Sequence, residues 1–118
     1  MLTRSRWEAE CRLMNSTFPE FEPYAIPGEC AGFRGYLRGK RSGNVYGVLM
    51  KASISRYPSE EPAVYMNPRP EPHHWIRDGR LCYLRRGRVW NPSRDCFAQV
   101  LVIVVNYIDE FDGRRRWI

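Results

Sequence analysis

The hydrophobic pattern predicts an α+β domain in which an antiparallel meander sheet is covered by helices. Three observations carry that expectation. Trp7, Cys11 and Met14 recur at i, i+4 and i+7 within residues 4–17, the spacing of one buried helical stripe. Two stretches near residues 33–38 and 45–54 alternate apolar and polar, the period of half-buried strands. Phe97, Val100, Leu101, Val104, Tyr107, Ile108 and Phe111 return to helical spacing near the C-terminal end. With 118 residues the chain has the size of one domain, spanning 1–118.

In the first helix Arg4, Arg6, Glu8 and Arg12 are free to face water while Trp7, Cys11 and Met14 face the core. Asn15 to Pro19, then Pro23 and Pro27, predict its end and an irregular connection. Phe33, Gly35 and Leu37 alternate with Arg34, Tyr36 and Arg38 as a strand. Gly39 to Asn44 is the turn, and Val45 to Ile54 completes an antiparallel hairpin. The proline-bounded bend from Tyr57 to Pro62 leads into a short third strand, Ala63 to Met66. Residues 67–92 hold little periodicity and predict a long loop, a place where function concentrates. Asn91-Pro92 offers a cap and a first-turn proline for the last helix, and Asp112-Gly113 offers its stop.

Charge and composition narrow the function classes. The apolar and aromatic content is that of a folded globule, which argues against wholesale disorder. The longest unbroken apolar run, Val100 to Val105, is far short of the roughly 20 residues a membrane helix needs. No signal segment opens the chain, so a soluble, cytoplasmic protein with no membrane partner is expected. The net charge is +6, and all basic residues except Lys40 and Lys51 are arginine. Arginine forks suit carboxylates and phosphates. Arg77, Arg80, Arg85, Arg86, Arg88 and Arg94 cluster against the single acid Asp78.

Cysteine spacing points to one residue. Cys11, Cys30, Cys82 and Cys96 contain no C-x-x-C pair, and the expected compartment is reducing, so they read as free thiols. Cys11 and Cys96 fall on apolar helix faces and read as small core residues. Cys82 instead lies in the long loop, inside the arginine cluster and after His73 and His74. Nearby positive charge stabilises a thiolate and makes a nucleophile. The histidines are candidates for proton transfer or oxyanion stabilisation. A His73, His74, Cys82 metal site would be a strained three-ligand set, so no metal and no cofactor are assigned.

Around Cys82 the chain resembles the ubiquitin-conjugating-enzyme family. Tyr57-Pro58-Ser59-Glu60-Glu61-Pro62-Ala63-Val64-Tyr65 is similar to the family's tyrosine-proline, proline, valine, aromatic segment. Pro72-His73-His74-Trp75 occupies the place of its His-Pro-Asn motif. Asp78-Gly79-Arg80-Leu81-Cys82 matches the signature around the active-site thiol. Trp90-Asn91-Pro92 matches the segment before the family's crossover helix, and Arg12 to Asn15 is similar to part of its first helix. The pieces stand in the family's order across roughly residues 4–112. The resemblance implies a UBC-like fold with a long active-site loop and a crossover helix.

It also implies a ubiquitin-conjugating-like transferase. Cys82 would accept the C-terminal glycine of a protein modifier as a thioester from an adenylating activating enzyme, then pass it to an amine on a lysine-bearing target. The family's oxyanion-steadying asparagine falls where this chain has His74; its histidine position holds Pro72, with His73 next to it as a backup. Asp109, Glu110 and Asp112 are the nearest match to the family's acidic surface, which would orient or deprotonate the incoming lysine. The first helix, with Arg4, Arg6 and Arg12, would meet the activating enzyme. Tyr57, Pro58 and Pro62 would fix the loop, with Trp90 packing under the cysteine.

The chain ends at Ile118, without the two C-terminal helices of eukaryotic members. Its short form and His-His pair resemble bacterial conjugating-enzyme-like proteins, some encoded in antiphage defence operons with a cyclic-oligonucleotide synthase. In such systems the resemblance implies conjugation through the synthase's own C-terminus. Two other classes remain open. One is a non-catalytic UBC-like binding module. The weaker one is a small arginine-rich nucleic-acid-binding domain, for which Tyr83, Trp75 and Trp90 would supply the aromatic rings.

Overall fold

The computed structural model describes residues 1–68, 70, 76–77, 79–84 and 88–113. Its elements follow the order α1 (Arg4–Thr17), β1 (Glu22–Ile26), β2 (Cys30–Arg38), β3 (Val45–Ser53), β4 (Ala63–Asn67), β5 (Ile76–Arg77), β6 (Arg80–Leu81) and α2 (Phe97–Phe111). Among the described residues the strands form one antiparallel sheet in the order β1-β2-β3-β4-β6-β5. The first four are a meander, and β5 and β6 add a two-residue-deep hairpin at the far edge. No helix is long and apolar enough to cross a membrane among these residues.

Both helices lie on one face of the sheet. Phe33 of β2 meets Trp7 of α1 and Phe97 of α2, each at 5.1 Å between ring centroids. Tyr57 packs on Phe97 at 5.0 Å, which carries the cluster under the β3–β4 connection. Val48 and Met50 of β3 and Val64 of β4 close the core from the sheet side. Phe97 is therefore the hub, with no exposed surface. Truncating such a buried ring to alanine costs about 3–5 kcal/mol.

α1 and the β2–β3 hairpin lie where the sequence places them. Thr3 caps α1 by accepting from Arg6 N at 3.1 Å. The connection after α1 is more ordered than its prolines suggest, because residues 22–26 form β1. That strand is a sheet edge, where a proline such as Pro23 is tolerated. Within residues 67–92, expected as loop, the sequence also folds into β5 and β6.

The start of α2 differs more. Asn91-Pro92 does not open the helix. Instead Asn91 Oδ1 accepts from Ser93 N, and Asp95 Oδ2 accepts from Asn91 N at 2.8 Å, a compact turn that delays the helix to Phe97. Cys96 is the N-cap and makes no side-chain cap bond. The carboxylate of Glu10, on α1, accepts from Phe97 N at 3.0 Å and supplies the missing cap. α2 ends as expected, with Asp112 N donating to Ile108 O and Gly113 at φ +65°.

Candidate active site

Cys82 owes its position to the hairpin before it and the anchors around it. Arg77 pairs with Arg80 at the turn end of the β5–β6 hairpin, and Gly79 takes φ +77° there. β6 in turn pairs with β4 through Tyr65 and Arg80. Leu81 and Tyr83, on either side of the cysteine, are buried, and the Tyr83 hydroxyl donates to Pro62 O at 2.5 Å. Further on, Trp90 Nε1 donates to Pro58 O at 2.7 Å. With its neighbours pulled inward, Cys82 is left half-buried on the wall of an open groove of about 310 Å³. Glu61, Pro62, Arg80 and Leu84 also line it.

Burial pushes the Tyr83 hydroxyl far up, with Glu61 adding to the effect and Arg80 opposing it. Tyr83 is therefore a neutral hydrogen-bond donor and a strut, not an acid or base near neutral pH. Among the described residues the ionic groups at the groove are Glu61 and Arg80. Glu61 lies in the bend from Tyr57 to Pro62, which the sequence marks only as a loop. Nothing in a linear reading brings it to the cysteine, because the contact depends on Pro62 O receiving Tyr83.

Of the arginine cluster, Arg80 lines the groove. Arg88 is exposed, and Arg94 faces Asp95 at 3.8 Å on the other side of the Asn91 turn. His73, His74, Trp75, Asp78, Arg85 and Arg86 lie outside the described residues, as does the histidine part of the His73, His74, Cys82 set. Among the described residues no group of three or more metal-binding side chains occurs.

Of the acids at the end of α2, Asp112 does something other than face an incoming amine. Asp112 is buried at 1% exposure. Its Oδ1 accepts from the Tyr46 hydroxyl at 2.6 Å and from the Ser42 hydroxyl; its Oδ2 accepts from Arg41 N and Ser42 N at 3.1 Å. A Cβ on Gly39 would fall 2.1 Å from this carboxyl carbon, so only glycine leaves room for it. Burial alone would raise the Asp112 pKa, but these hydrogen bonds outweigh it and hold the carboxyl below its ordinary 3.8. Asp109 stands 4.0 Å from Lys40 Nζ. The groove at Cys82 is lined by neither acid.

Arg6 also departs from the solvent-facing role expected of it. Its guanidinium bonds Glu10 Oε2 at 2.9 Å, Asp95 O at 2.8 Å and Pro92 O at 3.0 Å. Arg4 and Arg12 remain exposed on α1. All four cysteines carry free thiols. Burial, with Glu10 adding, pushes the Cys11 thiol up, and burial does the same to Cys96. Both are half-buried, as Cys82 is, and Cys96 lines a separate groove of about 190 Å³ with Glu10 and Asp95, whereas Cys30 is buried. Tyr83 and Trp90, the rings named for a nucleic-acid surface beside the arginine cluster, are buried and hydrogen-bonded inward.

No protein-family model matches the chain, and neither a curated protein nor a solved structure is significantly similar to it.

Proposed function

We propose that the protein is a ubiquitin-conjugating-enzyme-like acyl carrier working through Cys82. The observation that carries this reading is the half-buried Cys82 on an open groove, held between the inward anchors Leu81 and Tyr83. It is the thiol that the resemblance marks as the nucleophile. In the loading step Cys82 Sγ attacks the carbonyl carbon of a thioester on an activating enzyme. A new C–S bond forms, the old one breaks, and the donor thiolate leaves. In the transfer step a lysine amine attacks the same carbon. The C–N bond forms, the Cys82 C–S bond breaks, and the amine loses a proton to a base.

Arg80, a positive charge lining the same groove as Cys82, is proposed to support the first step. Glu61 is the carboxylate best placed to attract the ammonium of a target lysine, in the role first given to Asp109 and Asp112. His74, with His73, is proposed to polarise the thioester carbonyl. The modifier is a protein ending in glycine, and by the resemblance a cyclic-oligonucleotide synthase in bacterial antiphage defence fits that description. A cytoplasmic location follows from such a role.

The test is the intact mass of the protein from its native host, prepared without reductant, as wild type and as Cys82→Ser. The wild type is expected to carry a protein-sized adduct that thiol treatment removes. The serine variant should carry the same mass as a thiol-resistant ester. A wild type with no adduct, while the activating enzyme and ATP are present, would move the reading to a non-catalytic binding module.

A further inference from the structure

The sheet face opposite the helices carries no covering layer among the described residues, yet it is not a polar surface. Tyr36 of β2 is 74% exposed, and Val45 and Leu49 of β3 are exposed beside it. These residues sit in the middle strands, where an exposed aromatic and two aliphatics mark a recognition surface rather than stray surface apolars. The register places the rest. Arg34, Leu49, Tyr65 and Arg80 stand in one row across β2, β3, β4 and β6, and Tyr36, Gly47 and Asn67 form the next row. Because Gly47 has no side chain, the Tyr36 ring can lean over β3; its nearest carbon is 3.7 Å from where a Cβ would be. A shallow groove of about 830 Å³ runs between Tyr36 and Tyr65.

Charge selects the occupant. Arg34, Arg38, Lys51 and Arg80 are exposed on the outward positions of the same strands. Among the described residues the acids lining the groove are Glu20 and Glu22, both next to the β1 edge, and Glu22 is 3.9 Å from Arg34. The positive charge of the face therefore comes from Arg38, Lys51 and Arg80 around the groove, with Arg34 set against the two glutamates inside it. We propose that this outer sheet face binds single-stranded nucleic acid, with bases stacking on Tyr36 and Tyr65 and the backbone running along Arg34, Arg38 and Lys51. Aromatic rings alternating with cations on an open sheet supply the two terms such binding needs, sequence-tolerant stacking and phosphate neutralisation. Among the described residues the arginine cluster near Cys82 offers no exposed ring, since Tyr83 and Trp90 are buried. The surface does not depend on acyl transfer at Cys82.

The test is fluorescence anisotropy of a labelled twelve-nucleotide oligothymidine on the full chain, repeated as a salt titration. Binding is expected to weaken steeply with salt, with a log–log slope of about −2 to −3 for three to four phosphates contacted. Tyr36→Ala and Tyr65→Ala should each weaken it about tenfold, and Arg34→Glu should flatten the salt slope. Cys82→Ser should bind like wild type, whatever its adduct does. Circular dichroism of each variant must match wild type for its affinity to count, and Tyr36→Phe should restore binding because it keeps the ring. Absence of binding at low salt overturns the proposal and leaves the face to a protein partner. So does binding that both tyrosine variants retain in full.

Discussion

At the start of α2, Glu10 reaches across from α1; its Oε1 accepts from Phe97 N and its Oε2 from Arg6 and the Tyr57 hydroxyl. At the other end, both oxygens of Asp112 are filled by the β2–β3 turn and Tyr46. Each acid is buried and each has donors at both oxygens, so polar groups tie one end of α2 to α1 and the β3–β4 connection and the other end to the β2–β3 hairpin. The strip at Cys82 is arranged the other way. Its backbone is anchored through Tyr83 and Trp90, while Cys82, Glu61 and Arg80 line an open groove. Polar groups satisfied in the interior rigidify; those left at a groove are available to a reactant. The difference separates the residues that build the frame from those positioned to react.

The contrast is broken most severely at Glu10. Glu10→Ala strands Phe97 N and the Tyr57 hydroxyl in a low-polarity layer and takes from Arg6 its carboxylate partner there, leaving it Asp95 O and Pro92 O. Urea unfolding should show a loss of roughly 3–5 kcal/mol, the cost of leaving a buried charge without its partner. Asp112→Asn comes next, at about 2–3 kcal/mol near neutral pH, because the amide cannot accept at both positions. The pH dependence follows from the lowered Asp112 pKa. A carboxyl held below its unfolded value stabilises fully above about 3.8, and that contribution disappears as the pH falls through the lower folded value. The gap in urea midpoint between wild type and Asp112→Asn should therefore be full at pH 7 and narrow below about pH 3.8.

Smaller effects sharpen the other side. Gly79→Ala forces a side chain into φ +77° and should cost about 1–2 kcal/mol, with the adduct yield falling as the cysteine strip shifts. Cys82→Ser should change stability by less than about 0.5 kcal/mol while abolishing the thiol-labile adduct. A large loss of stability from that serine would place Cys82 in the frame with Cys11 and Cys96.

Much of the frame is legible from local patterns. The 3.6-residue period of Trp7, Cys11 and Met14 and the turn from Gly39 to Asn44 are nearest-neighbour signals, and the structure follows them. What escaped was set by partners distant in sequence. Asn91-Pro92 is a sound local helix start, but Asp95 turns the chain there and Glu10, 87 residues from Phe97, caps the later start. β1 escaped because Pro23 and Pro27 read as breakers, whereas an edge strand tolerates Pro23 and Pro27 falls in the turn after it. At the candidate site, Cys82 and the segment from Asp78 to Cys82 stand out in the sequence. Glu61 does not, since only the Tyr83–Pro62 bond brings its loop to the groove. Asp112 looked like a surface acid because its donors come from residues 41–46.

The central claim is that Cys82 alone among the thiols is placed to react, and timed alkylation tests it most directly. The folded protein would be exposed to iodoacetamide at pH 7.5, quenched at intervals, digested, and each cysteine peptide quantified by mass. Cys82 is predicted to be modified at least about tenfold faster than Cys11 or Cys96, whose thiols burial holds in the unreactive protonated form. Modification of Cys82 at the same rate as those two, or after them, would contradict the account.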